Sequence, residues 1–308
     1  MTRARDLADS ADKDIAGTLT LDGLDVAGNV SVDGGTIKLD GNYPVGTGNV
    51  ALGNTALDSV EAGGTYNVAL GDAAGTAITT GDNNVAVGAD ALLLNSSGGS
   101  NTALGTSSVR SNTTGSNNVG LGQAALYSNT TASNNTAIGY QAGYSNTTGT
   151  INAVGAFALF ANTTGTSNVA VGGYDGTTAS ALRFNTTGSN NTAVGVGSLK
   201  SNTTASNNTA VGYQALYDNT TGTSLVAVGE GALANNTTAD NNTAVGKSAL
   251  NGNTTGNHNT ASGKDTLGSN TTGNYNTALG ASALVSNTTG NVNTAVGYRA
   301  LLSNTTGY

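Results

Sequence analysis

The side chains in this 308-residue sequence that could do acid–base, nucleophilic or metal chemistry are few and scattered. His258 is its one histidine, and it replaces a residue in a variable corner of a repeated unit. That placement suits a solvated surface position better than proton transfer. With no Cys, the chain offers no thiolate nucleophile, no thiolate metal site and no disulfide framework. Gly81-Asp-Asn-Asn and Tyr174-Asp-Gly have the look of calcium turns, but neither an EF-hand spacing nor a Gly-Gly-x-Gly-x-Asp repeat accompanies them. They are expected to be structural turns. No Ser/His/Asp set or carboxylate pair recurs, so the expectation is a chain that is not an enzyme and uses no cofactor. What recurs is aromatic: Tyr127, Tyr144 and Phe160 each follow a repeated glycine by five residues on consecutive units, and Tyr217 does so again. Rings in such register form either a packing ladder or a strip on which the sugars of a surface polysaccharide stack. A second candidate contact is the segment 173–184, with Tyr174 and Asp175, where extra residues interrupt the repeat.

The element that must position these residues is a period of 17. The motif [Thr/Val]-Ala-[Val/Leu/Ile]-Gly ends at fifteen glycines, including Gly105, Gly122, Gly139, Gly212, Gly246 and Gly297. Two spacings stand out, 16 residues between Gly139 and Gly155 and 23 between Gly172 and Gly195. The tetrapeptide alternates like a short strand, with aliphatic and Ala side chains on opposite faces. The residue before Gly is aliphatic in all units except at Ser262, and the one before that is Ala except at Gly120. We expect the aliphatic residue to face the interior, together with the Leu four residues after the Gly (Leu57, Leu92, Leu126, Leu159, Leu199, Leu216, Leu250, Leu301). The small Ala is then expected to lie against another chain. Asn-Thr-Thr recurs in register from Asn112, Asn129 and Asn202 among others, and stacked copies can form hydrogen-bonded ladders. One unit buries too little to fold alone, so units must stack.

Composition agrees with stacking. Only 9% of residues are charged and 5% aromatic, Gly supplies 46 residues and Pro one. That is too little bulk for a conventional core and too little charge and Pro for a typical disordered chain. Residues 1–90 hold 13 of the 18 acids, and the remainder is near neutral. No basic stripe exists to neutralise phosphates, so a nucleic-acid partner is not expected, and no apolar run is long enough to span a membrane. The N-terminus lacks the apolar core of a secretory signal. The Asn-Thr-Thr sites fit the glycosylation consensus in form, but without an export signal they are read as corner ladders.

The fold class expected is therefore all-β: a repetitive β-solenoid or β-roll of about fifteen 17-residue coils over residues 47–308, trimeric, with a short N-terminal intertwined β segment. Residues 1–15 read as a flexible or docking peptide. Residues 16–46 read as a short-strand shaft and junction, with alternating runs such as Thr18-Leu-Thr-Leu separated by Asp22-Gly and Asp33-Gly turns. The insertion at 173–184 must bulge outward. The last unit stops in phase at Asn304-Thr-Thr-Gly-Tyr308 without a capping segment, so a longer natural chain or a covering partner is expected there.

The phrase Asn208-Thr-Ala-Val-Gly-Tyr-Gln-Ala-Leu, with near-copies at 135–142 and 293–301, resembles the repeats of marine bacteriophage, especially cyanophage, tail-fibre and virion structural proteins. It is also similar to the head repeats of trimeric, YadA-like autotransporter adhesins, whose unit is shorter. The opening Thr2-Arg-Ala-Arg-Asp-Leu-Ala and the stretch 17–23 look like the virion-attaching end of such fibres, which puts Arg3, Arg5, Asp6 and Leu7 in that role. What the resemblance implies is a homotrimeric virion appendage. Its N-terminus would sit on a tail or capsid protein, and its distal part would meet a host cell-surface glycan or protein. Two alternatives stand beside it. A bacterial surface adhesin would need an export signal and an anchor. An ice-binding solenoid is disfavoured because adjacent Thr-Thr hydroxyls cannot share one flat face.

Overall fold

A computed structural model of the chain describes residues 46–61, 63–177 and 179–307. The peptide expected over residues 1–15, with Arg3, Arg5, Asp6 and Leu7, lies outside the described residues, as does all but the last residue of the 16–46 segment. Each β-branched tetrapeptide forms a strand of three or four residues, from β1 (Val50–Leu52) to β15 (Thr294–Val296). The fifteen strands build one parallel sheet in sequence order. Equivalent residues face each other, as in Thr209↔Val226, Ala210↔Ala227 and Val211↔Val228. At about 4.8 Å per strand the stack is roughly 70 Å long. The chain is a β-solenoid of parallel coils.

The irregular spacings leave the register intact. Across the 16-residue step, Ala137 pairs with Ala153, and across the 23-residue step between β8 (Asn168–Val171) and β9 (Thr192–Val194), Ala170 pairs with Ala193. The extra residues leave the coil after Gly172 as an exposed loop, and buried Ala181 and Leu182 resume it. Three residues per coil take left-handed backbone angles, as at Gln214 (φ 55°), Leu216 (φ 53°) and Ser224 (φ 57°). Such angles cost about 1–2 kcal/mol per residue, a cost the stacked neighbours must offset. The glycine after each strand has no substitute. Gly212 has φ 134°, and a Cβ there would lie 2.6 Å from the carbonyl oxygen of Gly229. Gly105, Gly122, Gly139, Gly246 and Gly297 repeat its conformation.

The expected orientation of the strand is overturned. The middle Ala faces inward: Ala210, Ala215 and Leu216 are fully buried, while Val211 remains 36% exposed on the outside. Small Ala is therefore the core residue of its own chain and does not meet another one. Period-two alternation separates two faces but does not say which is inside; the width of the coil does. At Gly120, even a Cβ would lie 2.6 Å from both Val109 Cγ2 and Ser108 Oγ. The opposite wall leaves room for a methyl at most, so an inward Val has no place. Of the expected interior leucines, Leu57, Leu92, Leu126, Leu159, Leu199, Leu216 and Leu250 are buried, whereas Leu301, with no coil stacked on it, is half exposed.

Departures from the consensus compensate one another in volume. Gly75 and Gly143 stand where other coils have Leu, and Ile78 and Ile151 send their Cδ1 atoms to within 3.0 and 2.6 Å of the Cβ those glycines lack. Gly120 likewise leaves room for Ser108 and the β-branched Val109, whose Oγ and Cγ2 lie 2.6 Å from where its Cβ would be.

The rest of the interior is polar. Twelve buried asparagines from Asn95 to Asn287, including Asn112, Asn129 and Asn202, stack in one column. From Asn112 onward each Nδ2 donates to the Oδ1 of the coil before, as in Asn219 to Asn202 (3.1 Å) and Asn202 to Asn185 (2.8 Å). It also donates within its own coil, as in Asn219 to the Gly222 carbonyl (3.0 Å). The sequence did not announce a second column, formed by the residue just before each strand. There the Oδ1 accepts from the next backbone N–H, as in Asn208 N–H to Asn191 Oδ1 (3.1 Å). The Nδ2 of Asn208 reaches forward to the same Gly222 carbonyl (2.9 Å). Ile151 and Leu225 interrupt this second column, each donating its own N–H to the asparagine before it. Burying an amide is costly unless it is bonded, and the rungs serve one another along the column as far as Asn287, whose Oδ1 is left without a partner.

Ala210→Leu is expected to destabilise the rod by about 1–3 kcal/mol or more through overpacking, with Val211→Ala costing less than about 1 kcal/mol. Comparing their thermal midpoints checks which side is inside; the reverse order would contradict it. Asn202→Ala deprives Asn185, Asn219 and the Ala205 carbonyl of a partner. A loss of about 2–4 kcal/mol is expected, with faster amide exchange in the two flanking coils.

Candidate functional site

The residue directly after the buried Leu must point outward, because the Leu before it fills the interior. With 17 residues per coil, this position recurs at the coil rise and forms a column. Read along seven successive coils, its members are Arg110, Tyr127, Tyr144, Phe160, Arg183, Lys200 and Tyr217. A rise near 4.8 Å is close to the shortest separation at which aromatic rings stack. Tyr127 and Tyr144 stack with centroids 5.0 Å apart and 11° between planes, and Tyr144 and Phe160 with 5.3 Å and 12°.

The cations continue the stack at both ends of the three rings. The Arg110 guanidinium lies 5.6 Å from the centre of Tyr127, and that of Arg183 lies 5.7 Å from Phe160. Lys200 Nζ is 4.5 Å above Tyr217, and Phe184 stands between, 5.7 Å from Arg183 and 5.9 Å from Lys200. Such contacts contribute about 0.5–1 kcal/mol each at exposed sites.

The two candidate contacts expected from the sequence converge on Phe157, a residue the sequence reading passed over. Its ring is edge-on to Phe160 (5.8 Å), Tyr140 (5.1 Å) and Tyr174 (6.2 Å). Arg183 covers its face at 4.6 Å. Tyr174 of the inserted loop is thereby joined to the ladder. Asp175 next to it folds the loop tip: its carboxylate accepts from Thr177 N–H (2.9 Å) and Thr177 Oγ1 (3.1 Å), as expected of a structural turn. His258 sits elsewhere, on an exposed corner, stacked on Tyr275 at 4.9 Å. The signal that would have found Arg110, Arg183 and Lys200 is column arithmetic, once the 16- and 23-residue steps are counted as whole coils.

A second surface lies on the outside of the sheet. The two residues flanking the inward Ala or Gly of every strand point outward, thirty positions in all; twenty are aliphatic, eight Thr, one Asn and one Ser. None is charged. Leu104, Ile138, Val171, Val194, Val211, Val245 and Leu279 remain between 36% and 49% exposed. An apolar face this long on a thin rod exceeds what a solitary soluble chain ordinarily presents to water.

Tyr144→Ala removes two stacked pairs and is expected to cost about 1–3 kcal/mol. A flattened near-UV circular dichroism signal with unchanged far-UV signal is the expected signature; an unaltered near-UV spectrum would contradict the stack.

No family model, curated protein or solved structure matches this chain, so what the ladder and the sheet face do rests on their own chemistry.

Proposed function

We propose that the chain is a non-catalytic structural fibre protein of a bacteriophage virion, a tail fibre or similar appendage. It forms a homotrimer, is held by its N-terminal segment to a tail or capsid protein, and supports recognition of a host-surface glycan or protein along its coils. The observation that carries this reading is the uncharged aliphatic sheet face running the length of the rod. Roughly 70 Å by 7–10 Å of face is on the order of 500–700 Å² per chain, close to the ~800 Å² per partner of a standard specific interface. A continuous apolar strip along stacked coils is covered most simply by the same strip on identical chains. The inter-chain role expected for Ala thus passes to the outward Val, Leu and Ile. The likeness of the repeats to phage fibre repeats supports the same reading, and the aromatic ladder supplies the recognition element.

Electron microscopy of the purified full chain together with its mass in solution tests the assembly. A rod of about three chain masses is expected. Val194→Glu with Val211→Glu buries like charges in the shared face and should reduce it to one chain mass while leaving the coil signal unchanged. A monomeric wild-type rod would overturn the trimer and favour the ice-binding reading, since Thr192, Thr209 and Thr243 lie on that same outward face. For recognition, Tyr127→Ala with Tyr144→Ala is expected to abolish host adsorption with the rod intact; unchanged adsorption would remove the ladder from that role.

A further inference from the structure

We propose that the ladder binds an acidic polysaccharide, with the sugar chain running along the outward ring edges of Tyr127, Tyr144 and Phe160, whose faces are taken up by one another, and acidic groups held by Arg183 and Lys200. The inference rests on the glycan-recognition reading above and fixes the chemical class of the ligand. Three observations carry it.

The first is placement. Between residues 91 and 217 the chain has three cations, Arg110, Arg183 and Lys200, and all three fall in one of the seventeen coil positions. That stretch holds a single acid, Asp175, whose carboxylate is engaged in the inserted loop.

The second is pairing. Arg110 has Asp90 at 3.6 Å, Lys247 has Glu230 at 2.9 Å and Lys264 has Asp265 at 3.4 Å. Arg183 and Lys200 form no ion pair among the described residues. Instead they occupy successive rungs with Phe184 between them, 5.7 Å from Arg183 and 5.9 Å from Lys200, so two like charges repel each other across one ring. That repulsion is relieved when an anion lies across both, and a half-buried site strengthens the attraction. Held by rings rather than by carboxylates, the cations keep their charge available to a ligand.

The third is length. Seven rungs span roughly 30 Å, so a ligand touching them all is an extended polymer that repeats along the rod. A chain with net charge −8 would not attract a polyanion by its overall field, which makes local recognition necessary.

Binding of the full chain to polygalacturonate and to its methyl ester, which shares the backbone but lacks the charge, tests the inference. Tighter binding of the acid form, weakening with salt, is expected. Arg183→Gln with Lys200→Gln should lose about tenfold per cation towards the acid form and leave the ester unaffected. Lys247→Gln with Lys264→Gln, off the ladder, should change nothing. Equal binding of ester and acid overturns the acidic assignment and leaves the glycan reading standing. Failure of both polymers to bind overturns both. Equal loss from the off-ladder variant, or equally tight binding of poly-L-glutamate, overturns the site as a sugar site. Rods of normal length from each variant in the microscope exclude misfolding as the cause.

Discussion

Hydrogen bonding by buried asparagine side chains along the axis is the interaction on which the rest of this solenoid depends. An amide in the interior has no water to turn to, so its donors and acceptors must be met by the coils on either side. Two columns of asparagine meet that demand and share one row of backbone carbonyls, exemplified by Gly222. A coil shifted by one residue would strand both columns at once. The 17-residue period is thus enforced by polar satisfaction, and the aliphatic filling only has to fit what is left. This explains why Ile78 and Ile151, where an asparagine is given up, appear opposite glycines that make space for them.

Once the interior is fixed, every outward position becomes a straight column with the rise of the sheet, and surface chemistry is written in columns. The same rise that suits parallel strands suits stacked rings, which is why Tyr127, Tyr144 and Phe160 face one another at 5.0 and 5.3 Å without any special backbone arrangement. The two outer surfaces differ in kind. The sheet face is continuous, uncharged and nearly uniform from end to end. The ladder is confined to seven coils and has an order, cations flanking rings.

Much of this was legible in the residues alone. The period, the parallel stack, the Leu interior, the Asn-Thr-Thr corner and the outward bulge near Tyr174 follow from spacing. The inside-out placement of Ala and Val did not, because alternation is symmetric and only the distance to the opposite wall breaks the tie, as the contact that a Cβ at Gly120 would make demonstrates. The second asparagine column was hidden because it adjoins the strand and reads as part of the strand motif. The ladder was half seen. Aromatic residues draw the eye, while Arg183 and Lys200 look like ordinary surface charges until their coil position is worked out across the 23-residue step.

The hydrogen bonds between coils run along the rod, and this has a mechanical consequence. A pull along the axis loads the coil junctions in series, so each carries the full force and the weakest opens alone. A coil that opens turns a rise of about 4.8 Å into an extended segment of roughly 55–60 Å. The rod therefore yields stepwise, each opened coil lengthening about twelvefold and absorbing work instead of passing it on. Sideways load is resisted differently, by the whole cross-section of sheet, corners and amide columns together. The molecule is stiff against bending and extensible in tension, like a coiled tether that behaves as a strut until it is stretched.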